Sequence, residues 1–203
     1  MKTFLDFEKE VRAGKLRNVY YVIAADNYFI KAASELLREK LSGNKDNREN
    51  FFIKYADDTP LSELSDLSDN YSSLFASNKI IILKKCEKYS RKINELFEFL
   101  KKPDLDTTLV VCFDREYVYE KKLDKEIEFY DFSELPVKDM IEWIRIEFKK
   151  YGNEVTNEAV EYMMENFPRS FDILSNEITK ISSFEPESGK AIDKEMLIKF
   201  TGY

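Results

Sequence analysis

Two rhythms of apolar residues alternate along the first 130 positions. Residues 5–11 repeat at helical spacing and stop near Gly14. The run 19–24 (Val-Tyr-Tyr-Val-Ile-Ala) reads as a strand, and Asp26 behind it is placed to cap a helix. Phe29, Ala33, Leu36, Leu37 and Leu41 mark that helix over 28–41, stopped by Ser42-Gly43-Asn44. Residues 51–55 read as a second strand, and Leu61, Leu64, Leu67, Tyr71 and Leu74 as another helix. A strand over 79–84 comes next, then a helix through Ile93, Leu96, Phe97 and Leu100 that ends before Pro103. Residues 107–113 are the most strand-like stretch, and 126–130 predict one more strand. Strands alternating with helices of this length predict an α/β fold with a mostly parallel sheet covered on both faces.

From about residue 133 the pattern is helical only. Pro136 sits where a first turn tolerates it, followed by Val137, Met140, Ile141, Ile144 and Phe148. Gly152 separates these from Val155, Ala159, Val160, Met163 and Phe167. Phe171, Leu174, Ile178 and Ile181 form a third stripe, and Ile192, Met196, Leu197 and Phe200 a short fourth. The reading is an α/β domain over 1–134 and a small all-helical domain over 135–203.

With 203 residues, 43% hydrophobic and 35% charged, the composition is that of a globular protein. Apolar runs such as 80–83 and 109–113 are far too short to cross a bilayer, and acids interrupt the first ten residues where a signal peptide needs an apolar stretch. The expected location is the cytoplasm. The chain has no histidine, which removes the commonest general base and zinc nitrogen ligand. Two cysteines, Cys86 and Cys112, are too few for a thiolate zinc site and read as ordinary free thiols. No metal or cofactor is expected. The net charge is -7, and basic pairs such as Lys84-Lys85 and Lys121-Lys122 are interleaved with acids. Charge therefore argues against direct nucleic-acid binding by this segment.

An α/β domain followed by helices raises the question of nucleotide binding. A phosphate loop needs Gly-x-x-x-x-Gly-Lys-Ser/Thr after the first strand, so that backbone amides can wrap the phosphates. This chain runs Ala24-Ala25-Asp26-Asn27-Tyr28-Phe29-Ile30-Lys31, with no glycine between Gly14 and Gly43. An acid stands where phosphate would approach, and two aromatic rings crowd the position. Asp57-Asp58 and Asp124 with Glu126 read as solvated turns, and Trp143 and Met163-Met164 as packing. Leu74 and Phe75, flanked by Ser73 and Ala76 among small polar residues, allow two readings. They either pack into their own core or form an exposed wedge for a partner's pocket, each contributing about 1.5–3 kcal/mol when fully buried.

Several pieces in order resemble the delta subunit of the bacterial DNA polymerase III clamp loader. They are Gly14-Lys15-Leu16-Arg17-Asn18-Val19-Tyr20, Asp26-Asn27-Tyr28-Phe29-Ile30, and Ser73-Leu74-Phe75-Ala76 before Ile80-Ile81-Ile82-Leu83. Leu96, Phe99, Leu100 and Pro103 precede Leu109-Val110-Val111, and Trp143-Ile144, Gly152 and Leu174-Ser175-Asn176-Glu177-Ile178-Thr179-Lys180-Ile181 follow. The chain departs from that family at Ala24, Ala76 and Pro168-Arg169, where glycines are common. The resemblance implies a P-loop ATPase-like (AAA+-like) domain without a working phosphate loop, followed by a helical lid domain. It implies a subunit with no catalysis of its own, whose Leu74 and Phe75 enter a pocket of the beta sliding clamp while other loader subunits use ATP. It also implies a third, collar domain that joins those subunits, so the chain is expected to be the first two domains of a longer protein. A delta-prime or motor subunit, a DNA-binding module and an enzyme of unknown chemistry are the alternatives. A motor subunit lacks support without a phosphate loop, and delta-prime relatives commonly carry a cysteine zinc module.

Overall fold

The sheet is centred on the two stretches with no polar face. All seven residues of β5 (Thr107–Phe113) are buried, as are the first five of β4 (Lys79–Lys84). A strand buried on both faces has no need of polar alternation. β2 (Val19–Ile23) pairs with β5, and β3 (Phe51–Tyr55) with β4. β6 (Phe129–Asp131) lies beyond β2, and β1 (Lys2–Thr3) beyond β6. All pairings are parallel and the order is β1-β6-β2-β5-β4-β3. The computed structural model describes residues 1–24, 27–42, 50–69, 79–102, 106–184 and 191–201. They fall into two units, Met1–Ala25 with Phe29–Glu134, and Asp26–Tyr28 with Leu135–Tyr203.

In the α/β unit the period-2 rule splits each strand between two cores. Tyr20 and Tyr130 face α1 (Phe4–Arg12), where Phe7 meets both rings edge-on at 5.1 and 5.6 Å. Phe4 stacks on Phe29 of α2 (Tyr28–Ser42) at 4.3 Å. On the opposite face Ile23, Ile81, Leu83, Leu109, Val111 and Phe113 pack with Leu64 of α3 (Leu61–Asp69) and with Leu96 and Leu100 of α4 (Ile93–Leu100). Thr3 caps α1 with a reciprocal bond to Asp6, which fixes where that helix leaves β1.

Local features differ from the expectations. A 3-10 helix, Cys86–Lys92, precedes α4, and a short α5 (Arg115–Glu120) follows β5. Neither shows helical apolar periodicity. The strand expected over 126–130 begins only at Phe129, because the Glu126 and Ile127 amides close a turn onto the Leu123 carbonyl at 3.1 and 3.0 Å. Val155 is not helical; it forms an isolated parallel bridge with Ile192.

The helical unit contains α6 (Val137–Lys150), α7 (Asn157–Asn166), α8 (Phe171–Ser182) and α9 (Lys194–Thr201). Thr156 and Ser170 cap α7 and α8 with their hydroxyls. The turn after α6 closes at Gly152, whose φ of +78° is the left-handed conformation glycine adopts without steric cost. Ile144, Phe148, Ala159, Met163, Phe171, Leu174, Ile178, Ile181 and Leu197 make its core.

Candidate functional site

In an open parallel sheet, ligands bind beyond the carboxyl ends of the strands, where successive connections leave in opposite directions. Here that place is the exit of β2 and β5. The chain leaves β2 toward β3 at one side of the sheet and leaves β5 toward β6 at the other. The Ala24 amide still donates to the Phe113 carbonyl at 3.3 Å. Asp114 caps α5 by accepting from the Tyr117 amide at 3.2 Å, and its own amide donates to Glu87 Oε2 at 3.1 Å. Asp131, at the exit of β6, accepts from Arg115 at 2.5 Å and from the Ser133 hydroxyl at 2.6 Å. Arg115 also pairs with Glu134 at 2.7 Å. β4 exits into Lys84 and Lys85, which repel a divalent cation rather than hold one. Among the described residues no three acids, cysteines or histidines converge on a point that suits a metal ion.

Asn27 and Tyr28 stand at the chain position a phosphate loop would occupy, and they belong to the helical unit. The Asn27 amide donates to Asp172 Oδ2 at 2.8 Å, so a carboxylate already takes the hydrogen bond that an anion would need. The Tyr28 hydroxyl donates to Glu147 Oε1 at 2.5 Å and accepts from Trp143 Nε1 and Lys150 Nζ, both at 3.2 Å. One donor and two acceptor positions are a hydroxyl's full capacity. Lys150 also pairs with Glu147, whose residue is 3% exposed. Burial and then the Glu147 carboxylate push the Tyr28 phenol up to about 12. Burial works against the Lys150 charge, but Glu147 and Tyr28 outweigh it and raise its pKa. The Trp143 ring meets Tyr28 and Phe171 edge-on at 5.1 and 5.0 Å. These residues do not fit a nucleotide's phosphates. A phosphate would have to compete with the Asp172 and Glu147 carboxylates for the Asn27 amide and the Tyr28 hydroxyl.

The remaining candidates from the sequence separate cleanly. Ser73, Leu74, Phe75 and Ala76 lie outside the described residues, in the stretch of chain between α3 and β4. Asp57 lies 3.9 Å from Lys85 in an exposed pair. Trp143 and Met163 are buried in the helical unit. Cys86 and Cys112 are buried free thiols. Burial raises both, Cys112 to about 12, so neither is a nucleophile near neutral pH. Sequence reasoning missed Glu147 and Lys150, which lie 119 and 122 positions from Tyr28. Their i, i+3 spacing on α6 looks like any solvated helix pair.

A parallel sheet in this order followed by a helical bundle defines a P-loop ATPase-like (AAA+-like) fold, and the chain shares it with several solved proteins. It superposes on Bacillus subtilis DNA clamp loader delta protein (YqeN) with a TM-score of 0.60 at 17% identity, over 97% of this chain and 61% of that one. The Thermotoga maritima RuvB Holliday junction branch migration motor gives 0.63 at 11% identity, over 98% of this chain and 65% of that one. Domain III of the Thermotoga maritima replication initiation protein DnaA gives 0.56 at 13% identity, over 98% and 89%. The chain thus spans about three fifths of the clamp-loader protein's length and two thirds of RuvB's. No protein-family model and no curated protein sequence matches it.

Proposed function

We propose that this chain is the clamp-gripping part of a delta-type clamp-loader subunit, a protein that binds a ring-shaped sliding clamp and favours its open form without hydrolysing ATP itself. The observation that carries the reading is the pairing of an AAA+-like fold with a phosphate-loop position whose amide and hydroxyl are already bonded to Asp172 and Glu147. The likeness to the clamp loader delta protein over 97% of the chain supports the same reading. Leu74 and Phe75 are the wedge, flanked by Ser73 and Ala76. Two buried side chains of that size contribute about 3–6 kcal/mol to a complex before its ordering costs. The partners are a beta sliding clamp and other loader subunits, and no cofactor is needed. A wedge opens a ring only by binding the open form better than the closed one.

Titration of the chain with the sliding clamp of the same organism, beside a Leu74→Ala/Phe75→Ala variant, tests this. Binding that falls at least 30-fold in a folded variant supports the wedge. Equal binding by both proteins, or none by the wild type, overturns it. No ATP binding is expected, and a nucleotide affinity in the micromolar range would contradict the non-catalytic reading.

A further inference from the structure

The sheet ends in two edge strands that differ in how they meet solvent. β1 is two residues long, and its lysine is held by Glu10 and Glu128 at 2.6 and 3.0 Å. Shortness and charge are common defences of an open edge against stray pairing. β3 has neither. It runs for five residues, and its one charged side chain, Lys54, is turned to Glu63 of α3 at 2.7 Å.

Alternation decides what this edge presents. Phe52 packs against the core that contains Leu64 and Leu96, so Phe51, Ile53 and Tyr55 share the opposite face. Ile53 is 47% exposed and Tyr55 39%. The backbone alternates too, since the polar groups of successive residues point to opposite sides of a strand. The Ala56 amide donates to the Lys84 carbonyl at 2.9 Å, on the β4 side. Residues 52 and 54 therefore serve β4, and Phe51, Ile53 and Tyr55 aim their backbone groups away from it. The Tyr55 carbonyl accepts from the Asp58 amide at 3.1 Å in a turn. The Ile53 amide and carbonyl and the Tyr55 amide have no partner among the described residues. Both ends of the exposed stripe carry cations over a ring. The Arg38 guanidinium lies 5.5 Å from the Phe51 centroid, and the Lys84 and Lys85 amines each lie 5.7 Å from the Tyr55 centroid.

We infer that the outer edge of β3 receives an extended acidic peptide of a partner protein as a seventh strand. A segment of the pattern acid-x-apolar-x-acid fits it. Residues two apart in a strand lie about 6.7 Å apart on one face, so the apolar residue meets Ile53 while the acids reach the two cationic ends. Backbone bonds to Ile53 and Tyr55 supply an affinity open to any strand, and the side chains select the partner. A second copy of this chain suits the edge poorly. Antiparallel pairing of two β3 strands about Ile53 would set Arg38 of each copy beside Lys84 and Lys85 of the other. The inference is independent of the clamp reading.

Amide NMR of the chain, titrated with the end-blocked peptide Ser-Glu-Thr-Val-Thr-Glu-Ser, tests it. Saturable shifts should centre on the Ile53 and Tyr55 amides. Methylating the three central backbone nitrogens of the peptide should weaken binding about tenfold, with no change to the protein. Lys84→Gln/Lys85→Gln should weaken it about fivefold with unchanged thermal unfolding. Ile53→Pro, which removes the outward amide and no ladder bond, should weaken it about tenfold. No saturable shift, shifts centred on other residues, or equal binding by the methylated peptide would each overturn the inference. So would equal binding by a peptide with lysine at both glutamate positions. Shifts of the Ile53 and Tyr55 amides that follow protein concentration alone would overturn it in favour of a second copy, and the same shifts produced by a DNA duplex would overturn it in favour of nucleic acid.

Discussion

The two units contain nearly the same polar cluster, built in different surroundings. In the α/β unit the Tyr130 hydroxyl donates to Glu10 at 2.6 Å, Lys2 pairs with Glu10 at 2.6 Å, and the Lys2 amine lies 5.5 Å from the Tyr130 ring centroid. In the helical unit Tyr28 donates to Glu147 at 2.5 Å, Lys150 pairs with Glu147, and its amine lies 5.8 Å from the Tyr28 ring centroid. The difference is solvent and neighbours. Glu10 is a fifth exposed and is shared with Arg17, which also reaches Glu128 at 2.9 Å. Those bonds tie the two-residue edge strand β1 and the turn after α1 to β6, a purely architectural task. Glu147 is 3% exposed, and its tyrosine follows β2 in the chain, at the sequence position a phosphate-loop motif would occupy. A tyrosine–carboxylate–lysine cluster is therefore not a functional sign in itself; its position in the fold gives it meaning.

That contrast is open to measurement. The largest expected effect is Glu147→Ala, which leaves a buried phenol without its acceptor and should cost about 3 kcal/mol in urea unfolding, against about 1 kcal/mol for Glu10→Ala. Equal costs would show that the burial difference does not matter. Tyr28→Phe removes a hydroxyl with three partners and should cost about 2 kcal/mol, against about 1 kcal/mol for Tyr130→Phe.

A smaller effect separates the clusters by pH. Hydrogen bonds from Lys2 and then Tyr130 outweigh burial and hold the Glu10 carboxyl down to about 2 from its ordinary 4.5. A depressed carboxyl stabilises the fold fully above the unfolded value and loses that contribution as pH falls through the folded one. Glu10→Gln should therefore cost about 1 kcal/mol at pH 7, and the gap to the wild type should close between pH 4.5 and 2. The smallest expected effect is salt. One molar sodium chloride should take a few tenths of a kcal/mol from the Glu10 cluster and less from the Glu147 cluster, whose carboxylate is buried although its lysine is half-exposed.

Much of the fold was legible because its strongest elements are set by burial alone. The runs 80–83 and 109–113 could be nothing but interior strands, and the stripes of α6 and α8 fall at helical spacing. β1 was not legible, since two residues, Lys2 and Thr3, make a strand only by pairing with Tyr130 and Asp131. α5 was missed because Val118 is its one buried residue. The empty phosphate-loop motif was plain from Ala24 to Lys31, but not what replaces it, because Asp172 and Glu147 reach Asn27 and Tyr28 from 145 and 119 positions away.

A chain that grips a clamp so as to favour an open ring should bind a clamp whose ring interface has been disrupted by substitution at least tenfold more tightly than the intact clamp. Side-by-side titration with the two clamps measures this, and both affinities should be lost in Leu74→Ala/Phe75→Ala. Equal affinity for the closed and the disrupted ring would contradict it, since a ligand that binds both states alike shifts neither.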